Sequence, residues 1–258
     1  MADKILSIDC DFFMKPCINL YNHLVKSGDS NFTHDYTWKN IFDELDCERF
    51  MSHDEENFNF MLSVIDGLKC PIYVGLDHHS ILKAIDLTYQ KTNNEFCGPF
   101  DIVNIDHHHD IAYKPQDVRD VFNFDCVSCG DWVSYLEYHD LLNSYYWICN
   151  NNSKPYDTSL GALRNRPNKL VLIDKEDYTH KPDQFGLCYI SSSLEWIPPT
   201  QLEIYFKFIR RLIDKYGDNV QWFNQPYESH LLMTIIKDGL NNITPERIEQ
   251  VDESEECY

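Results

Sequence analysis

Two textures alternate along the chain. Short apolar runs rich in β-branched residues are separated by longer stretches whose apolar residues recur at helical spacing, the pattern of a parallel sheet covered by helices. Residues 4–10, 71–75, 101–105, 145–149, 169–173 and 187–191 read as strands. Helical spacing covers 57–68, 79–90, 130–142, 200–216 and 228–240. In the fourth of these, Leu202, Tyr205, Phe206, Ile209, Leu212 and Ile213 trace one face. The predicted fold is α/β, a three-layer αβα arrangement with a mainly parallel sheet, formed as one domain over residues 1–258. Irregular excursions interrupt it near 26–56 and 150–168, long enough to wall a substrate cleft, and the acidic tail 249–258 reads as frayed.

Composition narrows the classes. Hydrophobic residues make up 43% and aromatics 14%, enough to form a core, which excludes a mostly disordered chain. Acidic residues number 42 against 22 basic ones, a net charge of −20. So acidic a chain is a poor general binder of nucleic acid, whose phosphates demand Lys and Arg. It suits metal ions or substrates bearing guanidinium or ammonium groups, although an acidic surface also serves solubility alone. The ten cysteines are scattered, many in apolar runs, and the opening residues lack the apolar core of a signal peptide; a reduced, cytoplasmic setting follows. Cys126 and Cys129 form a CxxC pair with no second pair to complete a zinc knuckle. No apolar stretch approaches the length of a membrane span, about 20 residues, so no membrane is expected as partner.

Three predicted strands end in acid- and histidine-rich clusters: Asp9 and Asp11 after the first, Asp77, His78 and His79 after the second, Asp106, His107, His108, His109 and Asp110 after the third. Sites of open parallel sheets lie beyond the carboxyl ends of the strands, so the three clusters are expected to meet. In extended chain residues i and i+2 point the same way. Asp9 can therefore aim with Asp11, and Asp106 with His108 and Asp110, while His107 and His109 point away. One buried Asp or His at a strand end is usually a hydrogen-bonded cap. Three such clusters would repel one another unless cations sat among them. Carboxylates mixed with imidazoles suit Mn²⁺, Fe²⁺ or Zn²⁺.

These segments resemble those of the arginase (ureohydrolase) family. Asp106-x-His108-x-Asp110 is similar to its D-A-H-x-D motif, Gly75-Leu76-Asp77-His78 to its G-G-D-H, and Ser7-x-Asp9-x-Asp11 to its S-x-D-x-D. The last motif opens this chain instead of following the others, and Asp11 runs into Phe12-Phe13-Met14 rather than the usual continuation. That order resembles the peptide arginases, which convert arginine side chains of a precursor peptide to ornithine and urea during maturation of ribosomally made peptides. Cys129-Gly130-Asp131-Trp132 and Glu195-Trp196-Ile197-Pro198 are similar to two further segments of that group, so the likeness spans roughly residues 4–200.

The resemblance implies two Mn²⁺ ions held by Asp9, Asp11, His78, Asp106, His108 and Asp110, with an arginine-containing precursor peptide as substrate. Paired ions can lower the pKa of a shared water from roughly 15.7 toward about 7. Asp110 is then indispensable to catalysis as well as a ligand. Glu195, after the 187–191 strand, is the candidate for bidentate pairing with the guanidinium. Asp131 is expected either to cap a helix or to touch substrate. His79 is the candidate proton shuttle, and Asp77 an outer carboxylate that orients ligands. Trp132 and Trp196 read as core aromatics. Competing functions are a small-molecule ureohydrolase, a single-zinc deacetylase of the same fold, a DHH-type phosphoesterase and a non-catalytic metal store.

Overall fold

Seven short runs of extended chain lie side by side, every neighbouring pair parallel, in the order β5-β4-β3-β1-β6-β2-β7. They are β1 (Asp3–Asp9), β2 (Ile72–Gly75), β3 (Phe100–Asp106), β4 (Leu142–Cys149), β5 (Leu170–Leu172), β6 (Leu187–Ser191) and β7 (Val220–Trp222). The computed structural model describes residues 3–15, 52–111, 127–151, 153, 169–197 and 201–223. The predicted helix 228–240, the tail 249–258, Cys126 and most of the excursions 26–56 and 150–168 lie outside those residues.

Pleat alternation sorts the central strands onto two cores. From β1, Leu6 and Ile8 join one apolar cluster with Phe58, Met61 and Val64 of helix α1 (Glu55–Val64) and Tyr205, Phe208, Ile209 and Leu212 of helix α4 (Leu202–Tyr216). Ile5 joins the other, with Ile81, Ala84 and Ile85 of helix α2 (Ile81–Lys91) and Trp132, Val133 and Leu136 of helix α3 (Trp132–Tyr138). The result is the expected α/β three-layer arrangement, and the sheet is parallel throughout among the described strands. Strands with both faces covered read as continuous apolar runs, which is why β1, β2 and β6 were legible.

The departures have local causes. Helix α1 starts at Glu55, two residues early, because the Asp54 side chain accepts from the N–H groups of Glu56 and Asn57. It stops at Val64, where a turn leads to Gly67 at φ 78°. Helix α3 ends at Tyr138, not 142, and Asp140 turns the chain at φ 57° so that β4 starts at Leu142 rather than 145. The edge strand β7 is three residues long and too short to show a period.

Topology also places β6 between β1 and β2, with Ser191 in register with both Asp9 and Gly75. Gly75 has a steric reason to be glycine. The Tyr189 hydroxyl of β6 crosses directly over it to donate to the Asp77 carbonyl at 2.5 Å, and a Cβ there would collide with that hydroxyl.

Candidate metal centre

All three clusters meet at the carboxyl edge of the sheet. Asp9 ends β1, and its Oδ1 accepts from the Asp11 N–H at 3.1 Å, opening the short turn Cys10–Phe13 that carries Asp11. Asn150 fixes that turn from β4's end, donating to the carbonyls of Phe12 (2.7 Å) and Met14 (2.9 Å). Asp106 ends β3, and its Oδ1 accepts from the His108 N–H at 2.7 Å. His78 sits in the turn His78–Ser80, capped by Asp77 through Ser80 N–H at 3.2 Å. Asp110 follows in a left-handed conformation, φ 51°.

The six predicted ligands fall into two groups. His78 Nδ1 lies 3.2 Å from Asp9 Oδ2, 3.0 Å from Asp106 Oδ2 and 2.9 Å from Asp110 Oδ2. His108 Nδ1 lies 3.0 Å from Asp11 Oδ2 and 3.8 Å from Asp106 Oδ1. Asp106 thus presents one oxygen to each group. Within Asp9–His78–Asp106, and again within Asp11–Asp106–His108, ligand atoms lie within 4.8 Å of one another.

The bonding suits a cation better than a proton network. Buried polar atoms are normally hydrogen-bonded. His78 Nδ1 is close to three carboxylates yet aligned for a hydrogen bond with none, and both Asp11 carboxylate oxygens are likewise without a hydrogen bond. Lone pairs converging across a few ångströms in the protein interior are what a metal ion satisfies. These buried Asp and His groups could therefore hold metal, in a donor set suited to Mn²⁺, Fe²⁺ or Zn²⁺.

Electrostatics in the metal-free protein tell the same story. Burial, then the negative charge of Asp106, pushes Asp110 up to about 7. Burial and the charge of Asp9 hold Asp11 well above the usual carboxylate range. Burial opposes ionisation of Asp106 too, but the His78 and His108 contacts overcome it and take its pKa down to about 2. Burial also disfavours charge on the imidazoles, and the surrounding carboxylates win: His108 rises to about 10 and His78 well above 6.5. The two imidazolium protons occupy the positions where cations are in demand.

An outer ring fixes the ligands. Ser7 Oγ lies 2.6 Å from His78 Nε2, Asn104 Nδ2 donates to Asp106 Oδ2 at 3.1 Å, Trp132 Nε1 donates to Asp110 Oδ2 at 2.6 Å, and Ser193 Oγ donates to Asp9 Oδ2 at 2.6 Å. Trp132 is thus more than a core aromatic; its ring also lies 5.2 Å from the His78 ring. Asn104, two residues before Asp106 on one strand face, was detectable from spacing. Ser193 was not, because nothing in the sequence placed β6 beside β1.

Asp77 braces the turn under His78 and pairs with His79 Nδ1 at 2.9 Å, so it orients His79 directly and the ligand only through the turn. Burial would raise Asp77, but the contacts with His79 and Ser80 hold it below the usual range. His79 is partly exposed at 37% of its side chain, whereas the five ligands other than His108 expose 5% or less. His109 takes part in backbone support, its Nδ1 accepting from Ile111 N–H at 3.0 Å. His107 lies edge-on to His108; burial and the charge of His108 take it down to about 3, so it is neutral. Neither belongs to a ligand group.

Asp131 corrects the expectation of a side-chain cap. It precedes α3 but makes no side-chain cap there; buried, it turns back so that Oδ1 accepts from Ser128 N–H at 2.7 Å. Glu195 lies in the turn Leu194–Trp196 just past β6, at the correct edge of the sheet, and its side chain is outside the described residues. Trp196 packs its ring 4.6 Å from that of His108, the most exposed ligand at 13%, so the described centre opens on that side.

Compared with known proteins, the chain matches no family model, no curated sequence and no solved structure. Among the described residues no helix is long and apolar enough to cross a membrane.

Proposed function

We propose that the protein is a two-metal hydrolase that converts arginine side chains of a peptide to ornithine and urea, with Mn²⁺ as its metal. The observation that carries it is the division of one carboxylate, Asp106, between two ligand groups. Asp9, His78, Asp106 and Asp110 would hold one ion, and Asp11, Asp106 and His108 the other. When bound, such a pair supplies an activated water at neutral pH and stabilises charge developing on the substrate. Water adds to the guanidinium carbon, the bond from that carbon to the chain nitrogen breaks, and a proton passes to the departing amine.

The chain's own groups have defined parts in this scheme. Glu195 pairs with the planar guanidinium, supported by its place beside the strand end that touches Asp9. His79, tethered through Nδ1 to Asp77 and partly open to solvent, moves the proton to the amine. Asp131 braces the 128–131 turn and so supports α3, which carries Trp132. The net charge of −20 favours approach of a cationic peptide.

One consideration weighs against a rival chemistry. A single-zinc deacetylase has no use for a second ligand group around Asp11.

The test is direct. The Mn²⁺-loaded protein is incubated separately with an arginine-containing peptide, an acetyl-lysine peptide and a phosphodiester. The expected result is loss of one cyanamide unit from the first, with urea released, and no change in the others. Turnover of the phosphodiester or the acetyl-lysine peptide alone would replace this function with the corresponding rival.

A further inference from the structure

We propose that Ser193 is a positioning residue of the metal centre, held in a left-handed backbone so that its hydroxyl locks Asp9, and that Ser191 completes the relay. This rests on the metal-binding part of the proposed function. Beyond the end of β6 the chain stays tied to the segment after β2: Ser192 N–H donates to the Gly75 carbonyl and Ser193 N–H to the Leu76 carbonyl, both at 2.9 Å. At Ser193 the backbone then turns to φ 41°, ψ 46°, a region that favours glycine. Non-glycine residues are kept there when the site needs them, and strain of this kind collects at functional positions.

The side chain shows what is gained. Ser193 Oγ donates to Asp9 Oδ2 at 2.6 Å, and Ser191 Oγ lies 2.8 Å from Ser193 Oγ. A hydroxyl has one proton to give. Ser193 gives its proton to the carboxylate, so Ser191 must be the donor to Ser193. The order Ser191 to Ser193 to Asp9 follows from proton count. All three residues are buried. Asp9 Oδ1 is already engaged by the Asp11 N–H, so both carboxylate oxygens are fixed and the side chain cannot rotate. The oxygen that Ser193 holds is also the one 3.2 Å from His78 Nδ1, at the heart of one ligand group. The centre is therefore shaped for the ion before the ion arrives.

Two substitutions separate positioning from mere packing. Ser193→Gly removes the hydroxyl and relaxes the backbone; Ser193→Ala removes the hydroxyl and keeps the strain. Mn²⁺ affinity is measured by titration against the EPR signal of free Mn²⁺, and Tm is measured in EDTA. Both variants are expected to lose roughly 10–100-fold in Mn²⁺ affinity, as for other outer partners of metal ligands, while Ser193→Gly melts above Ser193→Ala. Should Ser193→Ala fail to fold, Ser193→Gly, which suits the backbone, still decides the matter. Wild-type protein that binds Mn²⁺ together with a Ser193→Gly variant of equal affinity overturns this inference alone. Wild-type protein that takes up no Mn²⁺ overturns the metal centre and the inference together.

Discussion

Asp106→Asn empties both metal positions and ends hydrolysis, while the fold survives. Asp106 offers Oδ2 to the His78 group and Oδ1 to the His108 group, so neither group is complete without it. An amide has the same shape but one weaker donor oxygen and no charge. Its nitrogen, if turned to the Oδ2 side, would face the donors of Asn104 and His78. Metal content after dialysis should fall from two ions per chain toward none, and kcat/KM should fall well beyond the roughly 10–100-fold that loss of an outer partner costs. Asp11→Asn is the matched control: Asp11 belongs to one group, so one ion should remain. Equal metal loss in both variants would show that Asp106 is not shared.

Mn²⁺ offsets the stability that the metal-free protein loses as pH rises. In EDTA, His108 is held at about 10 against roughly 6.5 when unfolded, so its stabilising proton is fully in place below about 6.5 and is lost as pH rises through about 10. His78 is raised well above 6.5 and acts in the same direction. Asp110, at about 7 against roughly 3.9 unfolded, makes ionisation destabilising as pH rises from about 4 to 7. Asp106, depressed to about 2, contributes stability that is already complete above about pH 5. Between about pH 6.5 and 9 the metal-free protein should therefore melt at steadily lower temperature. Metal displaces the same imidazole protons, so its binding strengthens over the same range. At a hundredfold excess over Kd each ion stabilises by about 2.7 kcal/mol, or roughly 5–11 °C in a chain of this size. The gap between Mn²⁺ and EDTA melting curves should widen with pH; parallel curves would mean that the ions bind elsewhere.

How much of this was legible in the sequence depended on range. Strand ends announced themselves because β1, β2 and β3 are buried on both faces and then break abruptly into Asp and His. The i, i+2 rule gathered the right residues but not their grouping: Asp11 lies in the Cys10–Phe13 turn and Asp110 is left-handed, so Asp9 parts from Asp11 and His108 from Asp110. What failed was neighbourhood. No local pattern says that β6 lies between β1 and β2, and so the Ser191–Ser193–Asp9 relay was invisible. Nor does a sequence show that the Trp132 indole on α3 reaches Asp110, because that contact depends on how a helix packs across a sheet. Asp131 looked like a helix cap because caps are common for Asp before a helix, but its side chain found a closer donor at Ser128. Helix ends drifted by two to four residues where a single side chain, Asp54, or a left-handed turn, Asp140, overrode the apolar spacing.

Crystals grown with Mn²⁺ and measured at the manganese absorption edge test the central claim most directly. Two anomalous peaks are predicted, one among Asp9, His78, Asp106 and Asp110 and one among Asp11, Asp106 and His108, with Asp106 touching both. A single peak, or peaks away from the carboxyl ends of β1 and β3, would contradict it.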